Sequence, residues 1–123
     1  MVVLIVEDDP LIALTLENIV ADNATGDIIA VRSRADAFEA LSGEIDLAIL
    51  DIDVTNGKTF DVAAELEAKG VPFIFVSASN QSQIPEELRH APFVPKPFDE
   101  ASIKRHLADA VSKKARGTAT VVS

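Results

Sequence analysis

Apolar and polar positions along this chain follow two alternating patterns. Short runs that are apolar almost throughout are typical of strands buried on both faces of a sheet. Each is followed by a stretch with apolar residues three or four apart, which is typical of an amphipathic helix. Five such strand-then-helix units follow one another. The predicted strands are Val2–Val6, Ile28–Val31, Asp46–Leu50, Val71–Val76 and Phe93–Val94.

The predicted helices have recognisable beginnings and ends. Asp9 can cap the first helix, in which Pro10 suits the first turn, and glycines close the second and third helices. The sequence pattern for the fourth helix is the weakest of the five. Only Pro85–His90 has helical spacing, and this segment is barely longer than one turn. The predicted helices are Pro10–Asp22, Ser33–Leu41, a stretch from Phe60 that stops at Gly70, Pro85–His90, and Asp99 to about Lys114.

This order of elements predicts an α/β fold with a doubly wound parallel sheet. Parallel strands need right-handed crossovers, and helices supply them. We expect the flavodoxin-like arrangement, with five strands in the order 2-1-3-4-5 and five helices, the fourth of them short. In that order strands one and three lie side by side at the point where the direction of winding reverses.

Four of the predicted strands end at residues suited to phosphoryl chemistry. Glu7 and Asp8 follow the first strand, Asp51 the third, Ser77 the fourth, and Lys96 the fifth. Because the carboxyl ends of parallel strands share one edge of a sheet, these side chains should converge there. Together they can hold a divalent cation, offer a carboxylate nucleophile and neutralise phosphoryl oxygens.

Each of these residues also has a simpler interpretation. An Asp after a strand is often only a turn residue, Ser77 can cap a helix, and Asp9 is more simply a cap than a ligand. Adjacent carboxylates repel one another unless they are solvated or bind a cation. Lys96 lies between Pro95 and Pro97, which restrict the backbone on both sides of a single cation. The combination is therefore stronger than its parts. His90 and His106 are expected to be helix-surface residues.

Length and composition exclude several classes of protein. The chain has 123 residues, of which 48% are hydrophobic, so it forms one ordinary domain with a genuine core. No apolar run approaches the roughly 20 residues of a membrane helix. There is no cysteine, which favours a cytoplasmic location, and the net charge of −9 opposes binding to nucleic acid.

The chain resembles the receiver domain of two-component response regulators over about residues 1–114. The motifs that carry the resemblance are Val-Leu-Ile-Val-Glu-Asp-Asp from Val3, Ile-Leu-Asp ending at Asp51, Val-Ser-Ala around Ser77, and Lys-Pro-Phe from Lys96. The resemblance implies that a histidine kinase phosphorylates Asp51. It further implies that Ser77 and Lys96 contact the phosphoryl group.

The same resemblance implies a metal site and a switch. Glu7, Asp8, Asp51 and the backbone carbonyl of Asp53 would hold Mg²⁺, with Mn²⁺ as an alternative ion. Phe93, an aromatic three residues before the Lys, would change rotamer with Ser77. The loop after Asp51 is about two residues shorter than is common, which is similar to a group of stand-alone receivers from alphaproteobacteria.

A second class of protein matches part of the same region. Asp51-Ile52-Asp53-Val54-Thr55 fits the DxDxT signature of haloacid-dehalogenase-like phosphatases. In those enzymes the first Asp is the nucleophile and the second is the general acid. Their acid pair follows the Lys in sequence, whereas here it comes first. A phosphorylation-independent binding module is a third alternative.

We therefore expect a single-domain response regulator that does not turn over a substrate. Residues 1–114 would form the receiver domain and residues 115–123 a short flexible tail, with no output domain. A histidine kinase or a histidine phosphotransfer protein would donate the phosphoryl group, and a downstream protein would receive the signal. Neither nucleic acid nor a membrane is expected as a partner, and the alternatives of a monomer and a dimer stay open.

Overall fold

A five-stranded parallel sheet forms the centre of the molecule, as a computed structural model shows for residues 1–24 and 26–122, with side chains described as far as Ser112. The five parallel strands lie in the order 2-1-3-4-5 when they are counted along the chain, so the predicted flavodoxin-like topology is confirmed. A two-stranded hairpin, β4 and β5, lies outside this sheet. The strands are β1 Val2–Val6, β2 Asp27–Val31, β3 Leu47–Leu50, β4 Asp53–Val54, β5 Gly57–Lys58, β6 Phe73–Ser77 and β7 Phe93–Pro95.

Helices cover both faces of the sheet. Side-chain caps begin three of them: Asp9 accepts hydrogen bonds from the amides of Leu11 and Ile12, Ser33 caps the second helix, and Asp99 accepts one from the Ser102 amide. Asp9 is the cap predicted above, and Ser33 and Asp99 are the residues at which the second and the last predicted helices begin. The helices are α1 Pro10–Asn23, α2 Arg34–Ala40, α3 Phe60–Ala68 and α4 Glu100–Val122.

The strands are buried on both sides because alternate residues face two different helical layers. Leu4 and Val6 of β1 pack towards the layer that contains α2 and α3. Val3 and Ile5 pack towards the layer that contains α1 and α4. This explains why the strand segments are apolar throughout instead of alternating with polar residues.

The expected fourth helix is replaced by two short 3-10 turns, Gln81–Gln83 and Glu86–Leu88. Pro85 lies between them, where it has no amide to donate and disfavours a helical conformation at the residue before it. Ile84 and Leu88 are nevertheless buried in the core, so they fix this irregular segment to the domain. The described residues thus contain four α-helices instead of five.

The last helix is longer than the sequence pattern predicts. It continues to Val122, past the expected end near Lys114. The residues that follow Ser112 begin Lys-Lys-Ala-Arg, which are good helix formers. The proposed domain boundary near residue 114 stays a prediction, and Ser123 lies outside the described residues. No helix that the structure describes is long and apolar enough to cross a membrane.

The β4–β5 hairpin is not among the elements predicted from the sequence. Asn56 has a φ of 73° and Gly57 a φ of 126°, values that favour these two residue types. The hairpin brings Lys58 back beside Asp53. It therefore shapes the loop that follows Asp51 and leads into α3.

Candidate functional site

The predicted strand-end residues meet at the carboxyl edge of the sheet. The backbone ladder continues one residue past each strand: the Asp51 amide donates to the carbonyl of Val6 at 2.9 Å, and the Lys96 amide donates to that of Ser77 at 3.0 Å. These hydrogen bonds keep the residues after neighbouring strands aligned along the same edge of the sheet. The convergence that the topology predicts is observed.

Asp51 lies at the centre of this group, and both of its carboxylate oxygens have a partner. The hydroxyl of Ser77 donates to Oδ1 at 2.7 Å, and Nζ of Lys96 donates to Oδ2 at 2.9 Å. Asp51 and Ser77 are both buried, with 8% and 1% of their surface exposed. A carboxylate that is buried but not closed off from solvent, and that touches a cation and a hydroxyl, is suited to act as a nucleophile.

Lys96 also forms an ion pair with Glu7, and each of the two groups shifts the pKa of the other. Its Nζ lies 2.5 Å from Oε1 of Glu7, whose side chain is 1% exposed. Burial raises the pKa of Glu7 above its ordinary value, although hydrogen bonds from Lys96 and the Asp9 amide act in the opposite direction. Burial by itself would lower the pKa of Lys96, but hydrogen bonds to Glu7 and Asp51 outweigh it and raise that pKa.

Three carboxylates of this group are close enough to share a cation. Glu7, Asp8 and Asp51 each offer one oxygen, and these oxygens lie within 4.8 Å of one another. Glu7 and Asp51 are buried, whereas Asp8 is exposed at the entrance. Three carboxylates are close to a single Lys, so two negative charges remain uncompensated when all three acids are ionised. An all-oxygen donor set of this kind fits Mg²⁺ or Mn²⁺.

Comparison with known proteins identifies the family. A model of the response regulator receiver domain matches residues 3–108. The chain belongs to the receiver domain family. It is thus a domain of the kind that functions in two-component signalling, and the resemblance inferred from the sequence motifs is confirmed. A search of curated protein sequences finds no match.

Solved structures of receiver domains agree with this assignment. The receiver domain of PhyR from Erythrobacter litoralis is 30% identical, with a TM-score of 0.74, and the match covers 89% of this chain and 88% of that one. SdrG from Pseudomonas melonis Fr1, in its BeF3-activated conformation, is 34% identical with a TM-score of 0.71, covering 89% and 94%. A CheY-like receiver domain from Methylobacillus flagellatus, at 23% identity, has the same fold with a TM-score of 0.76, covering 89% and 98%.

In this receiver domain the hydroxyl of Ser77 already points towards Asp51. Besides donating to Asp51, its Oγ accepts hydrogen bonds from the amides of Ile52 at 3.4 Å and Ser79 at 3.2 Å. The hydroxyl is thus directed inward, towards the unmodified side chain of Asp51. Phe93 is half-buried at the start of β7, where it packs against the part of the core that lies on the α2 and α3 side of the sheet. Its predicted rotation stays a prediction.

The sequence pattern missed the role of the Asp53 side chain. The sequence suggested a metal-binding carbonyl or, in a phosphatase, a general acid, but the carboxylate of Asp53 accepts hydrogen bonds from Nζ of Lys58 at 2.6 Å and from the hydroxyl of Ser79. The hydrogen bond from Lys58, and to a smaller extent that from Ser79, holds the pKa of Asp53 below its ordinary value. Lys58 also contacts Oε1 of Gln83 at 3.2 Å. The network joins the β4–β5 hairpin to the loop that follows β6.

The Asn-Gly turn was the available signal for this network. A tight turn at residues 56 and 57 returns the chain on itself, so the residues on either side of it must lie near each other. Asp53 and Lys58 are such a pair. The other members of the network, Ser79 and Gln83, lie in a polar segment. No pattern in the sequence predicts the backbone path of that segment.

The two histidines lie apart from the receiver site, but only His106 lies on a helix, since the helix expected at His90 does not form. His90 is exposed after the second 3-10 turn, and its Nε2 lies 2.8 Å from a carboxylate oxygen of Glu67. His106 is half-buried on α4. Burial lowers the pKa of His106, and the neighbouring Arg105 acts in the same direction.

Proposed function

We propose that this receiver domain accepts a phosphoryl group on Asp51 from a phosphohistidine of a kinase or a phosphotransfer protein. The observation that supports this most directly is the arrangement around Asp51. A buried carboxylate has a cation on one oxygen and a hydroxyl donor on the other, inside a group of three acids. The proposal extends to a Mg²⁺-dependent reaction and a cytoplasmic location.

The reaction needs a nucleophile and groups that neutralise negative charge on the phosphoryl oxygens. A carboxylate oxygen of Asp51 attacks phosphorus and forms an O–P bond, while the P–N bond to histidine breaks and its electron pair remains on the imidazole nitrogen. Lys96 and the hydroxyl of Ser77 are positioned to neutralise and to bind the transferred oxygens. Glu7, Asp8, Asp51 and the carbonyl of Asp53 would hold Mg²⁺, which supplies further charge neutralisation when it is bound.

A change in contacts would follow from the new charge at Asp51. Oγ of Ser77 donates its proton to the Asp51 carboxylate and accepts hydrogen bonds from two backbone amides, so a new acceptor at Asp51 competes for that proton, and a movement of Oγ changes the two amide bonds. In the segment from Ser79 to Gln83, the amide of Ser79 donates to this oxygen, the hydroxyl of Ser79 donates to Asp53, and Gln83 accepts a bond from Lys58. We infer that this segment, together with Phe93 on β7, forms the surface that changes for a downstream protein.

The proposal also holds that the domain does not turn over phosphomonoesters. In a haloacid-dehalogenase-like phosphatase, Asp53 would have to donate a proton to the leaving group. Hydrogen bonds from Lys58 and Ser79 hold the pKa of Asp53 low, which favours the ionised form at neutral pH. An ionised carboxylate cannot act as a general acid.

Two assays on the same preparation distinguish an acceptor from a phosphatase. The chain is incubated with Mg²⁺ and a panel of phosphorylated kinases and phosphotransfer proteins, and separately with a generic phosphomonoester. We expect transfer of one phosphoryl group per chain from at least one member of the panel, and no steady release of phosphate from the ester.

Two variants test whether Asp51 is the residue that is labelled. Asp51→Asn should abolish labelling, whereas Asp61→Asn, which removes an exposed carboxylate paired with Arg34, should not. Multiple turnovers of the ester that depend on Asp53 would replace the proposed function with that of a phosphatase. Equal labelling of Asp51→Asn and the parent would show that the acceptor is wrong.

A further inference from the structure

Thr59 lies at a position where a hydroxyl normally caps a helix, but its hydroxyl donates a hydrogen bond to a group outside the helix. It immediately precedes α3, and its carbonyl accepts the first helical hydrogen bond, from the amide of Ala63 at 2.9 Å. Its side chain makes no capping bond to the helix. The hydroxyl instead donates to the backbone carbonyl of Asp51 at 2.5 Å, and Thr59 is fully buried.

A second bond from the same residue reaches the next carbonyl. The amide of Thr59 donates to the carbonyl of Ile52 at 3.0 Å. Thr59 thus holds two consecutive carbonyl groups, those of the phosphoacceptor and of its neighbour. The β4–β5 hairpin makes this possible, since its tight turn brings residue 59 back to the start of the loop.

The peptide group between Asp51 and Ile52 is held from both sides by hydroxyls. Thr59 binds its carbonyl, and Oγ of Ser77 accepts a hydrogen bond from its N–H at 3.4 Å. The bond to Ser77 is the longer of the two, and Ser77 also serves Asp51 and Ser79. If Ser77 turns to a phosphoryl group, the bond from Thr59 is the one that continues to fix this peptide.

We propose that Thr59 is a positioning residue for the phosphoacceptor, an inference that rests on the proposed function of Asp51. Rotation of the Asp51–Ile52 peptide would reorient the Asp51 side chain and also the carbonyl of Asp53 two residues later. Thr59, anchored in the core, prevents that rotation. It therefore sets both the direction of nucleophilic attack and the backbone oxygen that a cation would use.

Two substitutions at Thr59 separate the hydroxyl from the shape of the side chain. Thr59→Val keeps the shape and removes the donor, whereas Thr59→Ser keeps the donor. With a small phosphodonor and saturating Mg²⁺, we expect the initial rate of phosphorylation to fall about tenfold or more in Thr59→Val and to stay within about twofold in Thr59→Ser. Thr15→Val is the matched control, because that hydroxyl also donates to a backbone carbonyl, of Leu11 at 2.9 Å, but is exposed on α1.

A measurement without metal or phosphodonor tests the positioning directly. Amide hydrogen exchange of Ile52 and Asp53 is compared between the parent and the variants in EDTA. We expect faster exchange at these two amides in Thr59→Val alone, with the remaining core amides unchanged. This readout stays informative if the parent is not phosphorylated, an outcome that would remove the proposed function and leave the positioning of the peptide to be judged by exchange.

Several outcomes would overturn the inference. Phosphorylation and exchange of Thr59→Val that match the parent would show that the hydroxyl is dispensable. Equal defects in Thr59→Ser, which keeps the hydroxyl, and in Thr59→Val would show that the hydroxyl donor does not account for the effect. Global unfolding of Thr59→Val would also count against it, since a positioning residue leaves the rest of the core intact.

Discussion

Replacing Lys96 with methionine removes the cation that joins two buried carboxylates. Its Nζ lies 2.5 Å from Glu7 and 2.9 Å from Asp51. The side chains of these acids are 1% and 9% exposed, and that of Lys96 is 13% exposed. In the variant both carboxylates remain in place without their cation, with Asp8 adding a third negative charge nearby.

The expected cost follows from this burial. Removal of one partner from a buried ion pair costs about 3–5 kcal/mol, because the remaining charge is left uncompensated in a medium of low polarity. Lys96 retains some contact with solvent, so we expect the lower end, about 3 kcal/mol at neutral pH. With an m-value of about 1.5 kcal/mol/M, the urea midpoint should fall by about 2 M.

The loss should shrink as the pH falls. The pKa of Glu7 is raised in the folded state above its ordinary value of 4.5, and removal of Lys96 should raise it further. Between those two values the folded chain binds more protons than the unfolded chain, so stability falls as the pH rises through this window. Lys96→Met should therefore be closer to the parent at pH 5 than at pH 8.

Urea unfolding followed by circular dichroism, in EDTA at both pH values, measures this effect. Lys104→Met is the control, because Lys104 is half exposed and lies 3.9 Å from Glu100. An exposed pair of this kind should cost about 0.5 kcal/mol or less, independent of pH in this range. Mg²⁺ should restore part of the stability of Lys96→Met, since a dication can compensate the same acids. If the variant is as stable as the parent, or equally destabilised at both pH values, the electrostatic account of the site is wrong.

Three further predictions concern other groups. Asp53→Asn weakens the bonds from Lys58 and Ser79, so it should change the lifetime of the phosphoryl group without preventing its formation, as a chase of labelled protein would show. Ser77→Ala should be phosphorylated more slowly, and its amide spectrum with beryllofluoride should lose the shifts expected from Ser79 onward; unchanged shifts would remove the switch. Burial lowers the pKa of His106. Between that pKa and 6.5 the unfolded chain binds more protons, so stability falls as the pH drops through this window, and His106→Gln should abolish that slope in thermal unfolding.

The central part of the site could be predicted because it depends on topology alone. Once the order of the strands is fixed, the residues at the carboxyl ends of β1, β3, β6 and β7, or just after them, must meet at one edge. Glu7, Asp51, Ser77 and Lys96 converge for this reason, with no knowledge of any rotamer. The sheet itself follows from the apolar segments that alternate with amphipathic helices.

Other features depend on details that the pattern does not encode. The bonds of Asp53 to Lys58 and Ser79 need particular side-chain rotamers in two loops. Thr59 looks like an ordinary helix cap in the sequence, and only the hairpin turn reveals that its hydroxyl faces Asp51 instead. The predicted fourth helix failed because Pro85 interrupts a segment too short to form one.

Locating the transferred phosphoryl group by chemical trapping tests the central claim most directly. The chain is phosphorylated with a small phosphodonor and Mg²⁺, reduced with borohydride, which converts an aspartyl phosphate to homoserine, and then digested for peptide mass analysis. The account predicts homoserine at position 51 in the parent and unmodified peptide in the Asp51→Asn variant. Homoserine at any other aspartate, or none at all in a fully folded and Mg²⁺-supplied chain, would contradict it.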